Sequence, residues 1–375
     1  MKNGYLQCYP DRVQLLTKSQ GGSHGRTRLL GVRRHARHCV IGGMDTNGKY
    51  LIERRFPTSE SELIRNVVQV KSRKKILAVE EGPLAFWISR TLREYVDEIF
   101  VCDPRENALI SRNARKGDGP DAYNLCRLLR LGELKEVYHP EEDHRAIFKS
   151  VAQQYLDLRN QQTAIKHKIK AKYRTWGVFA VDGLRPFHIE HRSRFLELLT
   201  HDPIREQQLR FYRVLDATVQ AQEQARRQML RLGLRYTEIR ELVKMPGVGP
   251  VGVHIFDAFI QTPDRFTTKQ KLWRYCRLGI VDRTSDGKPL GYRKLDRAGN
   301  GELKAMSFRT FQAAMRTSEF NEVRQFYELS LERTHNHTHA RLNTQRKILA
   351  VLLNVWKRRV AYRPDFFLRS GQATA

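Results

Sequence analysis

The stretch KGDGPDAYNLCRLLR, residues 116–130, sets two aspartates, Asp118 and Asp121, three residues apart where a helix-like run begins. Residues i and i+3 share a helix face, so both carboxylates can reach one hard cation. Mg2+ accepts a few carboxylates and keeps its other positions for water or phosphate oxygen. A third acid stands in ILAVEEGP, where Glu80 or Glu81 closes an apolar, strand-like run. Strand ends of this kind are where α/β folds gather their sites. The competing assignment makes Asp118 an N-cap and Asp121 a first-turn acid that complements the helix dipole.

Two further strings have chemistry of their own. MPGVGPVGV, residues 245–253, has a Pro-Gly-x-Gly turn between two helical stretches. Such a turn, through Gly247 and Gly249, presents backbone N–H groups to an anion where the second helix dipole also favours one, as in a helix-hairpin-helix that grips a DNA phosphate. HNHTH, with His335, His337 and His339, has metal-ligating side chains, yet no cysteine or acid accompanies them, and a polar loop is the expectation.

The elements that must position these residues follow from the pattern. RLLGV, HCVIGGM and YLIERRF read as strands, the last two joined by the turn signal DTNG. A helix is expected over residues 59–70 with Ser59 as its N-cap. KKILAVEE reads as a buried strand, PLAFWISRTLREY as a helix opened by Pro83, and EIFVCDP as another strand. The helix that starts at the acidic pair runs through Leu131. The order β-β-β-α-β-α-β-α predicts an α/β domain with a mixed sheet over residues 28–140. Residues 1–27 read as a basic N-terminal arm. Residues 141–235 are charged and Gln-rich, with Tyr155, Leu158, Ile165, Ile169, Leu209, Tyr212, Leu215 and Val219 at helical spacing, which predicts a helical hairpin or coiled coil. A mainly helical region follows over 236–360, closed by RKILAVLLNVWKRRV with one apolar face and basic residues on the other. Residues 361–375 read as a tail.

Charge narrows the partners. The 375 residues carry 68 Lys+Arg against 40 Asp+Glu, a net +28. Such an excess repels itself unless a polyanion neutralises it, which points to nucleic acid, with an anionic membrane surface as the alternative. No apolar run is long enough to span a bilayer. The five cysteines are scattered without a CxxC pair, which predicts reduced thiols and a cytoplasmic setting.

Several ordered motifs together carry a family resemblance: VEEGPLAFW, VCDPRENALI, KGDGPDAYNLCRLLRLGELKEVYHP, MPGVGPVGV and RTSDGKPLGYRKLDRAGNGELK. The chain resembles the DEDD-type insertion-sequence transposases, which include bridge-RNA-guided recombinases and Piv-like DNA invertases. The resemblance covers most of residues 28–360 and implies a RuvC-like, RNase H-fold domain joined to a C-terminal domain with an essential serine. It further implies Mg2+, DNA and a guide RNA as partners, a homo-dimer or homo-tetramer, and a cytoplasmic, nucleoid-associated protein that cuts and rejoins DNA.

By this resemblance KGDGPDA supplies the third and fourth acids, Asp118 and Asp121, and Glu80 the second, with Glu81 the neighbouring alternative. Ser285 in RTSDGKPLG takes the nucleophile position, with Arg283, Lys288, Arg293 and Lys294 as cations for the phosphate. The first acid departs from the pattern. The family's Gly-x-Asp-x-His is GVRRH here, so Arg33 stands where an aspartate is expected. A guanidinium cannot ligate a cation; it is expected to pair with Glu80, Asp118 or Asp121. Asp45 is the conceivable substitute acid, against its plainer assignment as a turn residue. A catalytically impaired nucleic-acid-binding relative is therefore the alternative to an active recombinase.

Overall fold

The computed structural model describes residues 27–103, 117–140, 143–179, 183–285 and 288–368. The basic arm, except Thr27, and the end of the tail lie outside them, as do most of VCDPRENALI and Lys116. The chain divides into two units, Met1–Glu141 and Glu142–Ala375.

The first unit is an α/β layer. Strands β1 (Thr27–Arg34), β2 (His38–Met44) and β3 (Tyr50–Pro57) precede helix α1 (Glu60–Val68). Strand β4 (Lys74–Glu80), helix α2 (Ala85–Leu92), strand β5 (Glu98–Cys102) and helix α3 (Asp118–Leu131) complete it. The sheet order is β3-β2-β1-β4-β5. The first three strands are antiparallel neighbours, whereas β4 runs parallel to both β1 and β5. The expected strand and helix order is thus present. Ser59 caps α1 by accepting from the Glu62 N–H at 3.3 Å, as its type predicts. Helix α2 begins at Ala85, so Pro83 lies before the helix instead of opening it.

Both sheet faces are covered, as the continuous apolar centres of β1 (Leu29–Val32) and β4 (Ile76–Val79) require. One face packs Leu30, Val32, Leu77 and Val79 against α1 and α2. The other packs Leu29, Ile76, Ala78 and Phe100 against Leu125, Leu128 and Leu129 of α3.

The second unit is almost wholly helical. Helices α4 (Asp143–Thr175) and α6 (Asp202–Gly233), linked through the short α5 (Arg192–Glu197), form an antiparallel hairpin. Gln162 near the middle of α4 donates to Gln222 of α6 at 3.1 Å, and Tyr173 meets Tyr212 at 2.9 Å between their hydroxyls. Tyr212 also donates to the Pro186 carbonyl at 2.6 Å. Of the positions expected to be apolar contacts, Ile169, Tyr212 and Leu215 are buried, while Leu209 and Val219 face solvent. The link adds Val178, Phe195 and Leu199 to the core that Ile169, Tyr173, Tyr212 and Leu215 form at the hairpin tip.

Short helix α7 (Glu238–Leu242), α8 (Pro250–Ile260) and α9 (Lys269–Tyr275) follow, then a two-stranded antiparallel ribbon of β6 (Ile280–Ser285) and β7 (Lys288–Leu295). Helices α10 (Gly301–Arg316), α11 (Glu322–Thr334), α12 (His337–Arg358) and α13 (Asp365–Leu368) close the chain. The expectation of a mainly helical region holds, with the ribbon as the exception. Three corrections belong here. HNHTH is no loop: Asn336 accepts from the Thr338 and His339 N–H groups at 2.9 and 3.0 Å, which starts a helix at His337. Helix α12 is apolar on more than one face, with Leu349, Val351, Leu352, Leu353 and Val355 all buried. The tail is shorter than expected, because Phe367 is fully buried in the core of the unit.

Within that unit the base of the hairpin is tied to α7 and α8 by one buried ionic cluster. Arg145 of α4 reaches Glu238 at 2.7 Å and Asp257, itself 0% exposed, at 2.5 Å, and its guanidinium lies 3.8 Å above the Tyr236 ring. Burial pushes the Asp257 carboxyl well above the usual range, and Arg145 opposes that shift. Removing one partner of a buried pair strands the other charge and costs about 3–5 kcal/mol. Arg145→Met is therefore expected to lose about that much in urea unfolding, whereas Asp257→Asn, which removes the charge that burial disfavours, loses less.

Candidate functional site

The candidate acids of the first unit meet because α3 lies unusually close to the sheet. A Cβ on Gly31 of β1 would stand 2.6 Å from the Ala122 carbonyl oxygen, and one on Gly42 of β2 would stand 3.2 Å from the Ala122 carbonyl carbon. Only glycine allows the first turn of α3 to sit there. That turn holds Asp118 and Asp121. The N-cap is Gly117, in an extended conformation with no side chain to cap, so the N-cap assignment of Asp118 is wrong. A capping carboxylate would turn back onto its own helix; this one reaches across to the strands.

Arg33, one residue before the end of β1, occupies the middle of the acids. Its Nη1 donates to Glu80 Oε2 at the end of β4, and its Nε lies 3.2 Å from Asp121 Oδ2. The second contact is ionic without hydrogen-bond alignment, since Nε is buried and has no hydrogen-bond partner. Arg34, next along, turns to the other side of β4 and donates to the Glu80 carbonyl oxygen at 3.2 and 3.1 Å. Partial burial lowers the Arg34 pKa, against the pull of Glu80. The expected ion pairing of Arg33 is thus present, with Glu80 and Asp121 as its partners.

Glu81 faces elsewhere. Its Oε2 lies 2.5 Å from His139 Nε2, and its N–H donates to the Cys102 carbonyl. Asp45 accepts from the Asn47 and Lys49 N–H groups at 3.0 and 2.9 Å, which is the bonding of a turn residue.

Asp118 is separated from the Arg33 group by its own partners. His35 Nε2 lies 2.6 Å from Oδ1 and His38 Nε2 lies 2.8 Å from Oδ2. The two imidazoles stack at 4.8 Å between centroids. These contacts, His38 first and His35 next, hold the Asp118 carboxyl below its ordinary value. Neither histidine was expected to act on its own; the available signal was the His-x-x-His spacing in RRHARH.

Mg2+ can be tested against this arrangement. A hard cation requires several free oxygens. Here Glu80 and Asp121 already share a guanidinium, and Asp118 is held by two imidazoles. The acids do not fit Mg2+ while Arg33 stands between them.

In the second unit, Ser285 ends β6 and pairs with Lys288, the first residue of β7, so it stands at the tip of the ribbon. Arg283 and Arg293 lie in the same ribbon, and Lys294 pairs with Val281 and is exposed. The side chains of residues 282–293 lie outside the described part. Gly247 has φ +81, and a Cβ there would stand 2.3 Å from the Thr310 carbonyl oxygen, so this glycine packs the turn against α10. Gly249 is the exposed N-cap of α8, with open space where its Cβ would be. Of the two glycines, Gly249 has the geometry to meet an anion. HNHTH gathers no metal set among the described residues; His337 Nδ1 pairs with the Tyr327 hydroxyl at 2.9 Å.

A mixed five-stranded α/β unit followed by a helical unit defines an α/β plus α protein. Residues 239–328 match the family described as Transposase IS116/IS110/IS902. Over 166 residues the chain is 28% identical to y4qE of Sinorhizobium fredii, a protein named as a candidate transposase. That match spans 40% of this chain and 42% of the relative, so it covers less than half of the relative's length. Both matches are to transposases, each over less than half of this chain. No helix among the described residues is long and apolar enough to cross a membrane.

The geometry at Asp118 has a measurable consequence. A carboxyl lowered by its partners in the fold contributes stability that is present above its unfolded value and lost as pH falls through the folded one. Carboxyl carbon NMR is expected to show Asp118 titrating below the ordinary 3.8. In His38→Ala the titration is expected to move back toward that value.

Proposed function

We propose that the chain is an insertion-sequence transposase relative that binds DNA while Arg33 holds its metal-dependent cutting silent. The observation that supports this is the guanidinium shared by Glu80 and Asp121. In a RuvC-like centre those carboxylates would face the scissile phosphate with a metal between. A fixed positive side chain there neutralises both acids and has no lone pair to ligate a cation. The DNA-binding half of the proposal is favoured by net charge +28 and by the exposed Gly249 cap, with Gly247 shaping its turn and Arg283, Lys288, Arg293 and Lys294 on the Ser285 ribbon.

A second reading, an active recombinase, is favoured by the family match over residues 239–328, which includes Ser285. In it the Ser285 hydroxyl attacks a DNA phosphodiester and displaces the 3′ or 5′ oxygen as a free hydroxyl, and the corresponding hydroxyl of the exchanged strand then attacks the phosphoserine and releases the serine. A guide RNA, Mg2+ and a dimeric or tetrameric assembly belong to that reading.

Arg33→Asp distinguishes the two. With Mg2+ and a nicked suicide duplex, the unaltered chain is expected to bind DNA and form no covalent adduct. Arg33→Asp is expected to form one, and Arg33→Asp with Ser285→Ala to lose it. An adduct in the unaltered chain, unchanged by Arg33→Asp, would overturn the silent-centre proposal. Affinity for duplex DNA is expected to fall about a thousandfold or more between roughly 50 and 200 mM salt, because neutralised phosphates release counterions.

A further inference from the structure

The sharpest unassigned feature lies beside the Arg33 group and uses different side chains. His35, His38 and Asp118 bring their ligating atoms within 4.8 Å of one another. We propose that these three residues bind a borderline divalent cation of the Zn2+ class, on the imidazole-rich side of Asp118.

The donor set is the first argument. Two imidazoles and one carboxylate suit Zn2+ and its neighbours in the transition series, whereas Mg2+ prefers oxygen alone. Separation is the second. Donors on a tetrahedral Zn2+ at its usual bond lengths stand about 3.3 Å apart. The contacts between Asp118 and the histidines are 2.6 and 2.8 Å, so they open by about 0.7 and 0.5 Å to admit the ion, within a set whose ligating atoms all lie inside 4.8 Å.

The third argument is an unresolved conflict at His38. Its Nε2 lies 2.8 Å from Asp118 Oδ2 and 3.0 Å from Arg55 Nη2. Arginine only donates, so Nε2 must offer a lone pair to Arg55. An ionised carboxylate only accepts, so the same Nε2 must offer a proton to Asp118. One nitrogen cannot do both. A cation between Nε2 and Oδ2 satisfies both acceptors, and the exposed Arg55 side chain swings aside.

The scaffold is ready for it. The turn that holds both histidines is closed by the His35 N–H to the His38 carbonyl at 2.8 Å. Thr58 braces it by donating from Oγ1 to the His35 carbonyl at 2.8 Å. Asp118 is fixed by the close approach of α3 to Gly31 and Gly42. The side chains are 43%, 26% and 26% exposed, so a bound ion keeps an open position toward solvent for water or a phosphate oxygen. Of the acids in the DEDD resemblance this site uses Asp118 alone; Glu80 and Asp121 take no part in it.

The test is titration of the full chain with Co2+ as a spectroscopic probe, followed by Zn2+ displacement. One equivalent is expected to give the visible ligand-field bands of nitrogen and oxygen coordination at low symmetry, with excess Mg2+ unable to displace it. His38→Ala and Asp118→Asn are each expected to weaken binding about tenfold or more. Arg55→Ala is expected to strengthen it, since a competing cation is gone. His337→Ala with His339→Ala is expected to leave it unchanged. Circular dichroism of each variant separates a lost site from a lost fold. Binding that survives in the folded His35→Ala/His38→Ala chain, or that disappears in His337→Ala with His339→Ala, would overturn the proposal. So would displacement by Mg2+.

Discussion

Helix α3 comes within backbone distance of β1 and β2 because Gly31 and Gly42 have no side chain where Ala122 lies. Everything at the candidate site descends from that approach. Strands β1 and β4 run parallel with Val32 opposite Val79, so Arg33 and Glu80 leave the sheet side by side. The turn between β1 and β2 brings His35 and His38 to the same edge. With the helix start lowered onto this edge, Asp121 falls within reach of Arg33, and Asp118 within reach of both histidines. A larger residue at position 31 would lift the helix and separate the two groups together.

Two electrostatic arrangements then divide the edge. On one side a guanidinium is shared by two carboxylates, which suits Arg because its planar fork can face two acceptors at once. On the other a carboxylate is shared by two imidazoles. Asp118 and Asp121 are neighbours on one helix face, yet they belong to different sets, because Arg33 lies within β1 whereas His35 and His38 flank the β1–β2 turn. The pair therefore does not act as a unit. This division is the physical basis for separating the Arg33-bridged acid group from the proposed cation site.

The second unit is organised by a different compromise. Arg145, Glu238 and Asp257 place ionic groups inside a largely apolar core, where desolvation disfavours the charge on Asp257. What they contribute is a fixed crossing of α4 over α7 and α8, with Tyr236 and Trp356 stacked on the guanidinium. The helical hairpin is thereby joined rigidly at its base to the helices that precede the β6–β7 ribbon. Its tip has a core of its own, to which the link between α4 and α6 contributes.

Local pattern alone determined much of this protein. Alternating and continuous apolar runs specify β1 to β5, Ser59 specifies the start of α1, and the long helical spacing specifies α4 and α6, because each depends on residues near in sequence. The charge and the motif order carry the resemblance to transposases and the expectation of a polyanionic partner, and Arg33 is visible as the residue that breaks the acid pattern. Less legible were the β6–β7 ribbon, whose strands IVDRTS and KPLGYRKL mix charged and apolar residues without a sustained alternation, and the burial of Phe367 behind an apparently polar tail. Which carboxylate Arg33 would take, and that His35 and His38 would claim Asp118, only the tertiary structure decided. Those choices join residues 47 to 88 positions apart, and those at Asp118 and Asp121 rest on how closely one helix can approach two glycines, a distance that no local pattern encodes.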